Sequence, residues 1–255
     1  AVKINRDALE SYRYNDAASA LMEYFWNEFC DWYVEATKLS FWHGDEHEKD
    51  RAVSVLLNVL EESLRLLHPF IPFVTEEIYS KLPLSLIVEN RKKSGECKII
   101  SDSDYSSMLI NAPFPAFVAE RDNKNVQERF ALLKDLITKV RALRAECGLD
   151  PASKINIAVL LSENSYAQVC LEKVDMIKLL AGCANVDFVE EKPSSSVGTV
   201  GSGFEAFILI DGSINKEQLL SRFKKEIETE SGWVKKSEAK LSGNFAKHAP
   251  KEVVD

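Results

Sequence analysis

Apolar residues recur at helical spacing through the first third of the chain. Leu21, Phe25, Phe29, Trp32, Ala36 and Leu39 keep close to the i, i+4, i+7 rhythm of one buried face, behind Asn15 as a candidate N-cap. A second helix is expected to begin in Asp45-Glu46-His47-Glu48, where acids suit the positive end of a helix dipole, and to run through Val55, Leu56, Val59, Leu60, Leu64 and Leu67. Pro69 and Pro72 require it to stop near His68, and Thr75 to Tyr79 continue as one short helix. Beyond residue 125 the rhythm changes. A helix at about 126–147 ends on Gly148, Ile155, Ile157, Val159 and Leu161 alternate as a strand does, and a helix at about 165–180 ends at Gly182. Val186 to Val189 read as a strand, and Val197–Val200 with Phe204–Ile210 as a hairpin around Gly201-Ser202-Gly203. Asn215 then caps a helix with Leu220, Ile227, Val234 and Leu241 at intervals of seven. Phe223, Glu230 and Ser237 fall at the other core position, which makes this one arm of a short, imperfect coiled coil.

The fold class that follows is mainly α: a helix bundle over 1–83, a linker or insertion over 84–125, a small α/β unit over 126–214, and the coiled-coil arm from 215 to 255. Arg91-Lys92-Lys93-Ser94-Gly95, the Ser/Asp run at 101–107 and Pro113-Phe114-Pro115 argue against regular structure in the second segment. Gly232 in the middle of the arm costs about 1 kcal/mol of helix propensity and makes the arm pliable.

Composition removes several classes. With 45% hydrophobic and 28% charged residues, the chain is neither disordered nor fibrous. No apolar run approaches the ~20 residues that span a bilayer, and the first six residues show no signal-peptide core. Five scattered cysteines, at 30, 97, 147, 170 and 183, form neither a disulfide framework nor a zinc pattern and fit a reducing cytosol. The net charge of −8 opposes a polyanion partner only on average.

Candidate chemistry is sparse. His43 and His47 stand four apart, but Gly44 interrupts the helix they need and no third ligand is near, so the pair reads as the start of a helix. Gly198, Gly201 and Gly203 lack the following helix of a phosphate loop, and His68 before a proline suits the capping of helix-end carbonyls. No nucleophile–base combination or paired carboxylates emerge, so no catalytic residue is assigned. Basic groups are more informative. Arg141 and Arg144 share a helix face with Lys134 and Thr138, a candidate phosphate edge. Between residues 216 and 247 eight Lys and Arg face five Asp and Glu, and Lys224, Lys225, Lys235, Lys236 and Lys240 are placed to follow a phosphate backbone. Residues 1–83 hold eight bases and fifteen acids, so nucleic acid there would be held by stacking and a few placed groups. Trp26, Trp32, Tyr33, Phe41 and Trp42 are candidates for stacking, although most of them are expected in the core.

Three runs carry a resemblance: Tyr12-Arg13-Tyr14-Asn15-Asp16-Ala17-Ala18, Phe25-Trp26-Asn27-Glu28-Phe29-Cys30-Asp31-Trp32-Tyr33, and Leu66-Leu67-His68-Pro69-Phe70-Ile71-Pro72-Phe73-Val74-Thr75-Glu76-Glu77-Ile78-Tyr79. Together they resemble the anticodon-binding helical domain of class I aminoacyl-tRNA synthetases, and the Asn27–Tyr33 run most resembles the valyl branch. The resemblance continues through Val140-Arg141-Ala142-Leu143-Arg144-Ala145-Glu146. It reaches Lys240-Leu241-Ser242 and Phe245-x-x-x-Ala249-Pro250-x-Glu252-Val253-Val254, leaving out only 84–111.

The resemblance implies the C-terminal part of a cytoplasmic ligase that uses ATP with Mg to join valine to tRNA(Val), a monomer with no membrane association. It implies no cofactor for this chain, since the ATP-site signatures His-x-Gly-His and Lys-Met-Ser-Lys-Ser are missing from it. The bundle would dock the anticodon loop, the arm the tRNA elbow, with Arg13, Arg141 and Arg144 as further contacts. Arg141 or Arg144 has a competing use, pairing with an acid of the bundle. The family's first bundle helix is expected before Ala1 and the arm's return helix from about Pro250, so weak tRNA affinity is expected. Other readings are the same region of an isoleucyl or leucyl relative, a helical scaffold for protein partners, and a metal or hydrolytic enzyme built on His43 and His47.

Overall fold

The computed structural model describes residues 1–93, 108–150, 152–162, 164–210 and 216–242. The chain divides into two compact units, Ala1–Glu128 and Arg129–Asp255, mainly helical with one small mixed sheet. The boundary falls in the first turns of a helix spanning Lys124–Glu146.

The first unit holds α1 (Val2–Glu10), a continuous helical rod from Tyr14 to His43, α4 (Glu46–Leu67), α5 (Pro72–Tyr79) and α6 (Leu84–Lys93). Within the rod, α2 (Tyr14–Met22) and α3 (Glu35–His43) flank a π-helical segment, Glu23–Val34. Asn15, expected as the cap, lies inside the first turn instead: the helix begins at Tyr14, and Arg13 flanks it with no side-chain cap. The start of α4 is as the acids indicated, with Asp45 Oδ1 accepting from the Glu48 amide at 2.8 Å. Pro72 opens α5, where its missing N–H costs nothing.

Two features of this unit depart from the periodic reading. Aromatic rings laddered along the rod, Phe25 on Phe29 at 5.6 Å and Phe29 on Tyr33 at 6.2 Å, accompany the widened π turns. Successive residues there rotate less per step, so a face drawn on the ordinary helical period drifts. Phe29 is buried, Trp32 and Tyr33 are half-buried, and Trp26 (60% exposed), Phe41 and Trp42 (61%) face outward, against the expectation that most would be core. Residues 84–125, expected to be irregular, begin with α6 and its buried Ile87. The run 101–107 lies outside the described residues. From Met108 onward the chain forms a strap fastened to the helices. Both oxygens of Glu76 accept strap amides, from Leu109 at 2.7 Å and Ile110 at 3.2 Å, and buried Leu109 packs with Leu64 and Tyr79. Arg65 donates to the Pro113 carbonyl, Arg6 to that of Pro115 with its guanidinium over the Phe114 ring, and Arg121 to Glu62. His68 uses its ring on the Thr75 hydroxyl, 2.8 Å away, rather than on a helix-end carbonyl.

One connection is strained. The Arg13 amide bonds the Ala8 carbonyl and the Tyr12 amide that of Leu9, the two closing bonds of a Schellman motif. Tyr12 therefore occupies, at φ 57°, the left-handed position that glycine usually fills.

The second unit places α7 (Lys124–Glu146) with a four-stranded sheet of order β2-β1-β4-β3. β1 (Ile155–Leu161) runs parallel to β2 (Cys183–Phe188) and antiparallel to β4 (Phe204–Leu209), which forms a hairpin with β3 (Ser196–Gly201). The Ser202 amide at its turn donates to Asp135 of α7. The helix expected at 165–180 is two, α8 (Asn164–Glu172) and α9 (Val174–Ala181), broken at Lys173. α10 (Lys216–Ser242) is the arm; Asn215, its expected cap, lies outside the described residues.

The end of α9 organises this unit. Gly182 closes the helix at φ 70°, and the space where a Cβ would stand is filled by the guanidinium of Arg144, reaching over from α7. Arg144 is 7% exposed and serves four carbonyls: Ala181 at 2.7 Å and Gly182 at 3.2 Å through Nη1, Asp150 at 3.0 Å and Ser153 at 2.8 Å through Nη2. Arg141 Nε adds a bond to the Leu180 carbonyl at 2.6 Å. Two cations thus sit at the negative end of α9. The thiol of Cys183 beside them is pushed up to about 11, by burial first, with Arg144 and Lys154 pulling the other way; burial alone does the same to Cys170.

Glu61 and Arg65 form a buried ion pair at 2.8 Å, so Arg65→Ala lowers unfolding stability by about 3–5 kcal/mol in urea titrations, whereas Glu61→Leu with Arg65→Met recovers most of the loss. Arg144→Met strands the carbonyls around Gly182 and costs on the order of 3 kcal/mol in the same assay, and Arg144→Lys recovers little, since an ammonium cannot span four acceptors. The raised thiol values favour the neutral form in the folded state. Their stabilisation is fully present below the ordinary thiol range, near pH 8.5, and is lost as pH rises through about 11. The unfolding free energy from urea titrations accordingly falls over that window, by up to roughly 2–3 kcal/mol per thiol, and the slope flattens in the Cys170→Ala, Cys183→Ala double variant.

Candidate nucleic-acid interface

The residues expected to meet a polyanion separate into inward and outward groups. Arg144 is inward: its donors are committed to carbonyls of its own unit, so it belongs to the fold and not to a phosphate edge. Arg141 is exposed yet gives its Nε to Leu180. The hydrogen bonds of both arginines described above go to backbone oxygens of their own unit.

Arg13 is outward. Its guanidinium pairs with Asp16 at 2.9 Å, and both side chains are more than half exposed, so the pair is worth little and leaves the cation accessible. Tyr12 and Tyr14 flank it, 79% and 56% exposed, with ring centroids 6.3 Å apart and planes at 85°. Neither tyrosine was singled out from the sequence. The signal available there was only the tyrosine–arginine–tyrosine order, since nothing in the pattern shows that a helix ends on Tyr12 in left-handed backbone.

On α10, Lys224, Lys225, Lys235 and Lys236 are exposed, and Lys236 lies 5.9 Å from the Trp233 ring. The side chain of Lys240 lies outside the described residues. Eleven residues are almost three whole helical turns, so Lys224 aligns with Lys235 and Lys225 with Lys236, each pair separated by ~16 Å along the axis. Leu220, Ile227 and Val234 form an exposed apolar stripe. Lys225 and Lys236 project from the side opposite it, leaving a cationic edge when a helix covers the stripe. The root of α10 is tied down by Arg222, whose guanidinium fills the space beside Gly148 (φ 66°) and donates to the Ala145 carbonyl at the end of α7.

Among the described residues, no group of three or more His, Cys, Asp and Glu side chains is placed to hold a metal ion, and no helix is long and apolar enough to cross a membrane. His47 Nδ1 lies 3.3 Å from Arg51. The glycines at 198 and 201 lie in the β3 strand, under the rings of Phe207 and Phe204.

The family model for the anticodon-binding domain of tRNA ligase matches residues 1–159. The chain is similar to valine–tRNA ligase of Treponema denticola, at 48% identity over all of its length, and to that of Treponema pallidum, at 40% over 98% of it. The valine–tRNA ligase of Aquifex aeolicus is 30% identical, again over the whole chain. The chain spans only about a quarter of these relatives, 27%, 27% and 21% of their lengths. A match over more than half of the chain leads to one conclusion: the chain belongs to the family of anticodon-binding domains of tRNA ligases.

Proposed function

We propose that this chain is the tRNA-recognition portion of a cytoplasmic valine–tRNA ligase, contacting tRNA(Val) while the full-length protein activates valine with ATP and Mg and transfers it to the tRNA. The observation that supports this most is the similarity to proteins of that name along the entire chain, α/β unit and arm included. ATP and magnesium are assigned to the full-length protein, not to residues of this chain.

Two surfaces divide the contact. The bundle, rich in acids, has little cationic surface with which to follow phosphates and holds RNA by stacking on outward aromatic rings such as Trp26, beside a few placed groups such as Arg13. The arm follows the sugar–phosphate backbone, Lys224, Lys225, Lys235, Lys236 and Lys240 each displacing a condensed counterion. Arg141, exposed on α7, is a subsidiary contact, and Arg144 is withdrawn from the contact set because its guanidinium is buried against carbonyls of its own unit.

Binding of a tRNA(Val) transcript is therefore salt-dependent, and changing Lys224, Lys225, Lys235 and Lys236 together to Gln lowers the slope of log affinity against log salt by about 3. In the full-length protein the same change weakens charging chiefly through KM for tRNA and leaves valine activation intact. Undetectable tRNA binding by both the chain and the full-length protein, or charging with an amino acid other than valine, overturns the proposal.

A further inference from the structure

We propose that the Tyr12-Arg13-Tyr14 corner is a stacking contact for an unpaired base of bound RNA, an inference that rests on the tRNA-binding reading above. Tyr12 carries the argument. It sits at the position closing α1 where glycine is the usual occupant, with both closing bonds made and φ at 57°. A bulky L-residue in left-handed backbone is strained, and such strain persists where surrounding packing or a function maintains it. Packing does not account for it: the Tyr12 ring is 79% exposed and meets Tyr14 edge-on. A glycine would close the helix with less strain and lose only a ring that points into solvent.

What the corner offers is chemically specific. Two phenol rings at 85° present aromatic faces in different directions, and the intervening guanidinium pairs with Asp16, both side chains more than half exposed. Aromatic faces beside an accessible guanidinium are the equipment for an unpaired nucleotide, the base on a ring and its phosphate near the cation. Glu10 and Asp16 on either side disfavour a run of phosphates, so the ligand is a single splayed base and not a duplex backbone.

The test uses the whole chain and tRNA(Val) transcripts carrying 2-aminopurine at single anticodon-loop positions. Tyr12→Gly is expected to melt at the same temperature as wild type or higher, yet to bind at least about fivefold more weakly, while Tyr12→Phe binds like wild type. One labelled position is expected to be quenched by wild type and not by Tyr12→Gly or Tyr14→Ala. Unchanged affinity and quenching in both of those variants, while the four arm lysine changes still weaken binding, overturn the corner and leave the tRNA-binding reading standing. A fall in the melting temperature of Tyr12→Gly that accounts for its lost binding marks the ring as structural and likewise overturns the proposal. A wild-type chain that binds no tRNA overturns the parent reading and this one with it.

Discussion

A helix leaves carbonyls unpaired at one end and amides at the other, and a loop against a helical core leaves more of both. In this chain several of them are met by charged side chains reaching from the bodies of helices. Arg144 closes the end of α9 with four bonds, and Arg65 and Arg6 hold the carbonyls of Pro113 and Pro115. Glu76 takes the amides of Leu109 and Ile110, and Asp135 that of Ser202. Each unit depends on this device, because a buried backbone group without a partner costs as much as several buried methylenes supply.

That constraint sorts the cations. Arginine spreads its donors over a planar fork and is less strongly hydrated, so it survives burial where lysine does not. Arg65 and Arg144 are spent on the interior, whereas the exposed positive charge described on α10 is mostly lysine. A chain of net charge −8 can therefore carry a surface suited to a polyanion without a basic composition. The relevant quantity is how many cations stay outside, and where.

The same sorting explains what the sequence could and could not convey. Asp45, Pro72, Gly182 and the alternation of Ile155, Ile157 and Val159 are local devices whose meaning is fixed within a turn or a strand, and the corresponding elements stand where the pattern put them. Arg141 and Arg144 show the limit. Their spacing gives a shared side of α7, but which way that side faces depends on α9, nearly forty residues later. Glu61 and Arg65 look like a surface pair from their i, i+4 spacing and are buried because the strap comes back over them. The aromatic positions of the rod are hard to assign for a different reason: the period itself changes between Glu23 and Val34, and Phe41 and Trp42 lie beyond that change. The family resemblance, resting on contiguous runs of residues, was insensitive to all of this.

Rigidity and accessibility are consequently placed on different residues. Near Gly148 and Gly182 a missing Cβ admits a guanidinium, which fixes the root of α10 and the end of α9. Gly232, by contrast, has nothing near it, so the middle of the arm keeps glycine's flexibility without a packing reason for it. An arm anchored by Arg222 and loosened ten residues later can bring its two lysine pairs to a curved backbone separately. A straight, stiff helix of the same charge would have to match both at once, and the phosphate contacts it missed would release no counterions.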